Sequence, residues 1–183
     1  MILPIYAYGN PVLRKKAENI LPDYNGLKEL IENMFETMYD SNGIGLAAPQ
    51  IGLAIRLFIV DGTEIEDEST ADFKKVFINP EILEEFDTKW EYEEGCLSIP
   101  TVRADVSRHS KLRIRYMDEN FKEFEEEYNG MAARIIQHEY DHIEGILFTD
   151  RISPLKRTML KNKLQNISIG RVNVGYKMKF AKK

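Results

Sequence analysis

Residues 138–142 read His-Glu-Tyr-Asp-His, and this segment constrains the fold more than any other in the chain. Side chains four positions apart lie on the same face of an α-helix, so His138 and His142 can bind one metal ion if the segment is helical. The chain has only three histidines in 183 residues, and two of them stand here. Glu139 then lies beside the metal as a potential base. We therefore predict a helix that carries a metal site.

The flanking residues predict where this helix begins and ends. Residues 129–130, Asn-Gly, are a plausible start, and Gly145 offers a left-handed stop. Within the helix, Met131 and Ile135 share a stripe with the two histidines, which places the histidines on a buried face. A buried polar pair needs partners, and a metal would be one. The alternative is a histidine pair that serves as core filler or surface decoration.

The composition predicts one globular domain over residues 1–183. With 43% hydrophobic and 10% aromatic residues, the chain can build a proper core. Its formal charge of −5 argues against DNA binding, although residues 156–183 are locally basic. No apolar run reaches the roughly 18 residues of a membrane span, and residues 1–8 lack the features of a signal peptide. We expect a cytoplasmic protein with no DNA or membrane partner.

The hydrophobic pattern predicts an α+β fold, with antiparallel or mixed sheets packed around the central histidine helix. Residues 24–40 have the spacing of an amphipathic helix, and residues 61–75 are expected to form an exposed loop. A basic helix is predicted from Ser153-Pro154 to about residue 167, and residues 172–180 alternate like a late strand. Further strands are predicted at 53–60, 76–82, 89–92, 112–117 and 121–128.

Two histidines leave a catalytic metal one ligand short, because such sites usually take three protein ligands and a water. Candidates for the third ligand are a downstream carboxylate, His109 and the lone cysteine, Cys96. His109 stands in a polar, Arg-rich stretch without a motif, so Cys96 is favoured. It follows Gly95, which lets the backbone bend, and a bound ion would deprotonate its thiol. A buried structural cysteine is the alternative, since that is the commoner fate of a lone Cys.

Residues 43–50, Gly-Ile-Gly-Leu-Ala-Ala-Pro-Gln, form a third cluster. Two glycines one residue apart let the backbone approach a ligand closely, and Gln50 adds a neutral amide donor. The segment follows a helix and lacks the Lys of a phosphate loop, which argues against that function. Small residues packed against a sheet are the alternative explanation.

Together, residues 43–50, 94–98 and 137–142 resemble the three signature motifs of the peptide deformylase family, in the family's order. Each motif is weak alone, but the trio is specific, and the resemblance covers the chain up to about Asp150. Residues 151–183, the predicted terminal helix and strand, fall where the family is variable. The resemblance implies a bacterial-type cytoplasmic enzyme that removes the N-formyl group from N-formylmethionine of newly made polypeptides and releases formate.

The resemblance also implies a metal centre and its catalytic groups. One divalent ion per chain is expected, Fe²⁺ in the cell and replaceable by Zn²⁺, Ni²⁺ or Co²⁺. Glu139 would take a proton from the attacking water and pass it to the departing amine. The amide of Gln50 and the backbone N–H of Leu97 would face the formyl oxygen as an oxyanion hole. The implied metal ligands are Cys96, His138 and His142.

Substrate-binding residues are implied by the same motifs. Backbone groups of Ile44 and Gly45 would pair with the extended peptide as an added strand. Ile44, Met131 and Ile135 would line the pocket for the methionine side chain, and Arg103 would help to position the substrate.

Three further features stay open at this stage. Glu94 and Arg108 occupy positions where the family places an ion pair that braces the metal loop. Thr101 stands where many relatives carry Gly or Glu, which leaves fine specificity open. The basic helix at residues 155–163 makes docking to the ribosome a hypothesis.

Two other functions remain as alternatives. A metallopeptidase of the His-Glu-x-x-His kind needs a third ligand downstream, and no histidine follows His142. A non-catalytic module that binds peptide or metal would have no need to keep Glu139, Gln50 and Cys96 together.

Overall fold

The fold is organised by a five-stranded antiparallel sheet, seen in a computed structural model that describes residues 1–181. The three helices are α1 Leu27–Asp40, α2 Gly130–Ile143 and α3 Pro154–Ser168. The strands are β1 Ile5–Tyr6, β2 Gly45–Ala47, β3 Leu57–Asp61, β4 Lys74–Cys96, β5 Ile99–Met117, β6 Glu123–Asn129 and β7 Met178–Lys179. Short 3₁₀ turns occupy Pro11–Arg14, Ala48–Ile51, Glu68–Thr70 and Phe148–Asp150.

The order of strands in the large sheet is β2-β3-β4-β5-β6, so β2 stands at one edge. The centre of the sheet is the long hairpin of β4 and β5, in which Cys96 pairs with Ile99. The turn between these strands therefore consists of Leu97 and Ser98 alone. A separate two-stranded parallel sheet joins β1 to β7.

The sequence pattern divided this hairpin wrongly. The strands predicted at 76–82 and 89–92 are parts of one strand, β4. They looked separate in the sequence because a register shift between Phe86 and Lys89 and the left-handed Asp87 (φ +67°) interrupt the alternation of apolar and polar residues. The first half of β5, residues 99–111, was not predicted as a strand. Its inward positions do alternate, but one of them is Arg108, a charged residue with 3% exposure. An apolar pattern cannot reveal a buried cation.

Helix α2 lies at the centre of the molecule, and the α+β prediction is confirmed. The helix begins at Gly130 (φ +55°), and Gly145 (φ +76°) follows its end as expected. Ala132, Ala133 and Ile136 pack with residues of the large sheet in one hydrophobic core. Because α2 is buried on most sides, side chains projecting from it are held in fixed positions.

The segment predicted as an exposed loop, residues 61–75, is partly buried. Thr70 and Phe73 are buried, and the Ser69 hydroxyl accepts a hydrogen bond from the Ala132 N–H at 3.1 Å. This contact satisfies a free donor in the first turn of α2. The polar composition of the segment therefore reflects a capping role as well as contact with solvent.

The C-terminal residues form less strand than their alternation predicted. Only Met178–Lys179 pairs with β1, next to the hydrogen bond from Ile5 N–H to Lys177 O at 2.8 Å. Residues 171–177 follow the surface outside any strand, since alternation indicates a half-buried face and does not supply a partner strand. None of the described helices has the length and apolar character needed to cross a membrane.

Candidate active site

A cleft of about 630 Å³ lies between the edge strand β2, the β4–β5 hairpin and α2. Most residues that the sequence singled out line it together. They are Ile44, Gly45, Gln50, Glu94, Cys96, Leu97, Arg103, Met131, Ile135, His138 and Glu139. Two others, Arg108 and His142, are buried behind its wall.

The end of β4 and one face of α2 bring together three side chains that could hold a metal ion. The ligand atoms of Cys96, His138 and His142 all lie within 4.8 Å of one another, and Cys96 Sγ is 3.3 Å from His142 Nε2. One thiolate and two imidazoles form a donor set that fits a divalent transition-metal ion. The third histidine, His109, lies elsewhere, with its ring nitrogen 3.0 Å from the Asp87 carbonyl oxygen.

Glu94 fixes the orientation of His138. The His138 Nδ1 atom lies 2.9 Å from Glu94 Oε2, which leaves Nε2 available as the ligand atom. Burial by itself raises the pKa of Glu94, but hydrogen bonds from His138 and Arg108 outweigh it and hold this pKa well below its usual value. Glu94 is therefore ionised and can accept a hydrogen bond from His138 Nδ1, which keeps the proton on that nitrogen.

Three arginines surround the carboxylates behind the Cys/His/His group. Arg108 donates to both oxygens of Glu94, at 2.6 and 3.0 Å, and to Asp141 at 2.9 Å. Arg134 donates to Glu94 at 2.7 Å, and Arg151 holds Asp141 through two contacts of 2.5 Å. Buried charges are tolerated when they are paired in this way.

Three members of this network were not predicted from the sequence to have a function: Arg134, Asp141 and Arg151. Arg134 had a usable signal, since it precedes His138 by four positions and so shares its face of α2. Asp141 stands inside the histidine motif. Nothing in the local sequence indicated that Arg151, beyond the end of the helix, would reach back to it.

The Glu139 carboxylate is buried beside the ligand group. Its Oε2 atom has no hydrogen-bond partner among residues 1–181, and burial raises the pKa of Glu139 to about 7 against the lowering effect of His138. Gly45 makes room for this side chain, because a Cβ atom at that position would lie 2.5 Å from Glu139 Oε1. The glycine is therefore required for the close approach of β2 to α2.

Gln50 presents its amide nitrogen toward the ligand group. The Ala47 N–H donates to Gln50 Oε1 at 2.8 Å, which fixes the rotamer of the amide. Gln50 Nε2 then lies 3.3 Å from Ser98 Oγ and 3.5 Å from Cys96 Sγ. Ser98 is fully buried, and no function was predicted for it, although it lies in the motif at residues 94–98.

The opposite side of the cleft is apolar and open. Ile44 and Tyr92 are 43% and 45% exposed, among the most exposed large hydrophobic residues described. Met131 and Ile135 line the floor on α2. Arg103 lies on the rim, 3.6 Å from Glu93, in a loose and exposed ion pair. Such a surface can bind an apolar side chain next to an extended main chain.

Comparison with known proteins identifies the family. A sequence model described as polypeptide deformylase matches residues 2–158. The chain belongs to the polypeptide deformylase family. The family prediction is thereby confirmed, and the match ends within α3, before the last part of the chain.

Similar proteins agree with the family assignment along nearly the whole chain. The peptide deformylase of Christiangramia forsetii is 56% identical, covering 98% of this chain and 96% of its own length. That of Flavobacterium psychrophilum is 54% identical, covering 100% and 99%. The crystal structure of a peptide deformylase from Legionella pneumophila is 40% identical, with a TM-score of 0.81 and coverage of 91% and 95%.

The family assignment gives the activity. The deformylase is a metal-dependent hydrolase that removes the N-formyl group from N-formylmethionine of newly made polypeptides and releases formate. The comparisons favour this activity over the metallopeptidase and the non-catalytic module. The Cys/His/His group agrees with metal dependence but does not identify the metal.

Proposed function

We propose that the cleft carries out deformylation with one divalent cation held by Cys96, His138 and His142. The observation that supports this most directly is the buried, unpartnered Glu139 oxygen beside the ligand group. A buried carboxylate oxygen without a partner is costly unless a reacting group binds to it. We propose Fe²⁺ as the cellular ion. Zn²⁺, Ni²⁺ or Co²⁺ should be able to replace it, because a donor set of one thiolate and two imidazoles suits all four ions.

Glu139 moves the proton in this mechanism. The bound cation supplies positive charge that acidifies a water molecule in the cleft and polarises a carbonyl group. Glu139 takes a proton from the attacking water at Oε2 and later hands it to the nitrogen of the departing amine. A group that both accepts and donates a proton near neutral pH needs a pKa close to 7, and burial raises the pKa of Glu139 to about that value.

Gln50 and Leu97 bind the developing negative charge on the formyl oxygen. Gln50 Nε2 already faces the ligand group, and its rotamer is fixed by the Ala47 N–H. The backbone N–H of Leu97 is the second donor. A single donor of this kind typically contributes about 3 kcal/mol to the transition state, because it is oriented before the charge forms.

The edge strand β2 and its neighbours bind the peptide. Since β2 pairs with β3 on one side only, the backbone at Ile44 and Gly45 can pair with an extended chain on the other. Main-chain pairing accepts many sequences, as a general processing enzyme requires. Ile44, Met131 and Ile135 contact the methionine side chain, and Arg103 helps to position the rest of the peptide.

The natural substrates in this proposal are N-formylmethionyl nascent chains in the cytoplasm, and the ribosome is the proposed partner. Helix α3 supports ribosome docking by its exposed Leu155 and Met159, 72% and 76% exposed, among basic residues. Reversing the charge of Lys161 should reduce co-sedimentation with ribosomes and leave peptide deformylation unchanged. Equal sedimentation of both proteins would exclude this docking site.

The decisive experiment measures formate release from formyl-Met-Ala-Ser by anaerobically purified protein. The native chain should release formate, and Glu139→Ala should lower kcat by about 10²–10⁴ while keeping one metal ion per chain. Elemental analysis of the same samples identifies the ion. A native protein that holds its metal but releases no formate would overturn the proposal.

A further inference from the structure

The C-terminal segment 171–177, here called the strap, forms one wall of the cleft. Val174, Gly175 and Tyr176 line the same cavity as Cys96 and His138. The strap lies beyond residue 158, where the match to the family ends. This wall of the cleft is therefore formed by residues that the family match does not cover.

The strap is held at its end by the parallel pairing of β1 and β7. Ile5 N–H donates to Lys177 O at 2.8 Å, and Ala7 N–H donates to Lys179 O at 2.9 Å. Phe180 packs over Gly170, whose absent side chain leaves room for the ring. The first two contacts hold the C-terminal end of the strap, and the third holds Gly170, the residue before it, so that Tyr176 lies at the cleft.

Tyr176 contacts the turn that carries the proposed oxyanion donor. Its hydroxyl donates a hydrogen bond of 2.8 Å to the Leu97 carbonyl oxygen. The side chains of Tyr176 and Leu97 pack against the same hydrophobic core. The next carbonyl of the turn, that of Ser98, accepts a hydrogen bond from Tyr8 N–H at 2.8 Å.

These two contacts hold both carbonyl groups of a turn that consists only of Leu97 and Ser98. The N–H and the carbonyl of Leu97 belong to the two peptide planes on either side of its Cα. Fixing one plane and the neighbouring Cys96 limits the rotation of the other plane. A contact made from the far end of the chain therefore restricts the turn that carries the Leu97 N–H.

We propose that Tyr176 is a positioning residue for deformylation, acting through Leu97, and that its ring closes the cleft beside the peptide. This rests on the proposed function, in which the Leu97 N–H binds the formyl oxygen. Tyr176 touches no reacting atom in this proposal. The competing explanation is that Tyr176 only anchors the C-terminal segment and contributes to stability alone.

Tyr176→Phe tests the hydroxyl separately from the ring. It should lower kcat for formyl-Met-Ala-Ser about 10-fold, because a donor displaced by a fraction of an ångström loses much of its effect. The KM and the metal content should not change. Tyr176→Ala should lower kcat similarly and also raise KM, because the wall of the cleft is lost.

Tyr116→Phe is the matched control. Tyr116 is a buried tyrosine of β5 whose hydroxyl donates to Glu126 at 2.7 Å, and it does not line the cleft. Its replacement should lower the melting temperature and leave kcat unchanged. Amide hydrogen exchange over residues 94–100 should become faster in Tyr176→Phe and stay at the native rate in Tyr116→Phe.

The outcomes separate this proposal from the proposed function. If the native protein releases no formate, the proposed function is wrong. If the native protein is active and Tyr176→Phe has the native kcat, only the role of Tyr176 is wrong, whatever happens to the melting temperature. A fall in kcat that follows a loss of metal would also overturn that role. If Tyr176→Ala does not fold, Tyr176→Phe alone decides.

Discussion

The two sides of the cleft are built in opposite ways. On the metal side, Glu94, Arg108 and Asp141 have side chains that are only 6%, 1% and 6% exposed, and each makes more than one ionic contact. On the peptide side, the pair of Arg103 and Glu93 is 66% and 60% exposed and 3.6 Å apart. Both sides use charged residues of the same hairpin, β4–β5.

In the proposed function, the difference between the two sides follows from what each side must do. Proton transfer and charge stabilisation require atoms held within a fraction of an ångström, which buried and mutually hydrogen-bonded groups provide. Binding many different nascent chains requires a surface that depends on main-chain pairing and loose apolar contact. We therefore expect substitutions on the metal side to affect stability, metal binding and kcat, and those on the peptide side to affect KM.

Glu94→Ala should have the largest effect. Removing this carboxylate takes away the ionic partner of the buried Arg134 and one of the two carboxylates that bind Arg108, which keeps Asp141. Such a loss of charge pairing should lower the free energy of unfolding by about 3–5 kcal/mol. Because His138 also loses its orienting contact, metal affinity should fall about 10- to 100-fold. Denaturant unfolding and metal titration measure the two effects.

The adjacent residue provides the control for this experiment. Glu93→Ala removes an exposed ion pair and should leave metal affinity and the unfolding free energy close to native values. If both substitutions had similar effects, the distinction between the two sides of the cleft would be lost.

Gly45→Ala should separate catalysis from metal binding. The added Cβ would lie 2.5 Å from Glu139 Oε1, so the carboxylate must move. A displaced base should lower kcat about 100-fold, with the metal content unchanged. Steady-state kinetics with saturating substrate measures this. A native kcat would mean that Glu139 can shift without loss of function.

Ile44→Ala, one residue away, should instead change substrate binding. Ile44 is 43% exposed on the peptide side, and its replacement removes apolar contact with the substrate. We expect KM to rise about 5- to 10-fold and kcat to change little. A rise of this size corresponds to the loss of a few methylene contacts in a partly open pocket. If Ile44→Ala lowered kcat as much as Gly45→Ala does, the proposed division between substrate binding at Ile44 and catalysis at Gly45 would be contradicted.

Thr101→Gly should have the smallest effect, and a favourable one. Thr101 is an exposed β-branched residue at φ +65°, a conformation that glycine adopts without strain. Relief of this strain should raise the free energy of unfolding by about 0.5–1 kcal/mol. Thr158→Gly, in the right-handed helix α3, is the control and should be destabilising. Thermal unfolding of both variants measures the difference.

The parts of the fold that were predicted well have a periodic apolar pattern. Helices α1 and α2 lie within a few residues of their predicted ranges, because each buries a regular stripe. The long hairpin was predicted poorly, because bulges break its alternation and Arg108 occupies an inward position. A search for alternating apolar residues misses a strand in which an inward position holds a charged residue paired with a carboxylate from another strand.

The same distinction applies to the site. The three motifs were sufficient to predict the family, which the comparisons confirm, and most of the residues that they selected line one cleft. They did not reveal Arg134, Arg151 or Tyr176, whose contacts join positions far apart in the chain. Such contacts depend on how the elements pack and leave no local signal.

By itself, the sequence predicted the chemistry of this protein, because a cysteine, two histidines four positions apart and a glutamate between them are residue types that a metal-dependent hydrolase uses. The motifs also predicted the family, which the comparisons confirm. The tertiary structure decided how these groups are held. Only folding places Gly45 against Glu139, surrounds Glu94 with arginines and brings Tyr176 from the C-terminal strap to Leu97. The physical reason is that residue type fixes the donors, whereas distances of 2.5–3.5 Å between remote residues exist only in the packed chain.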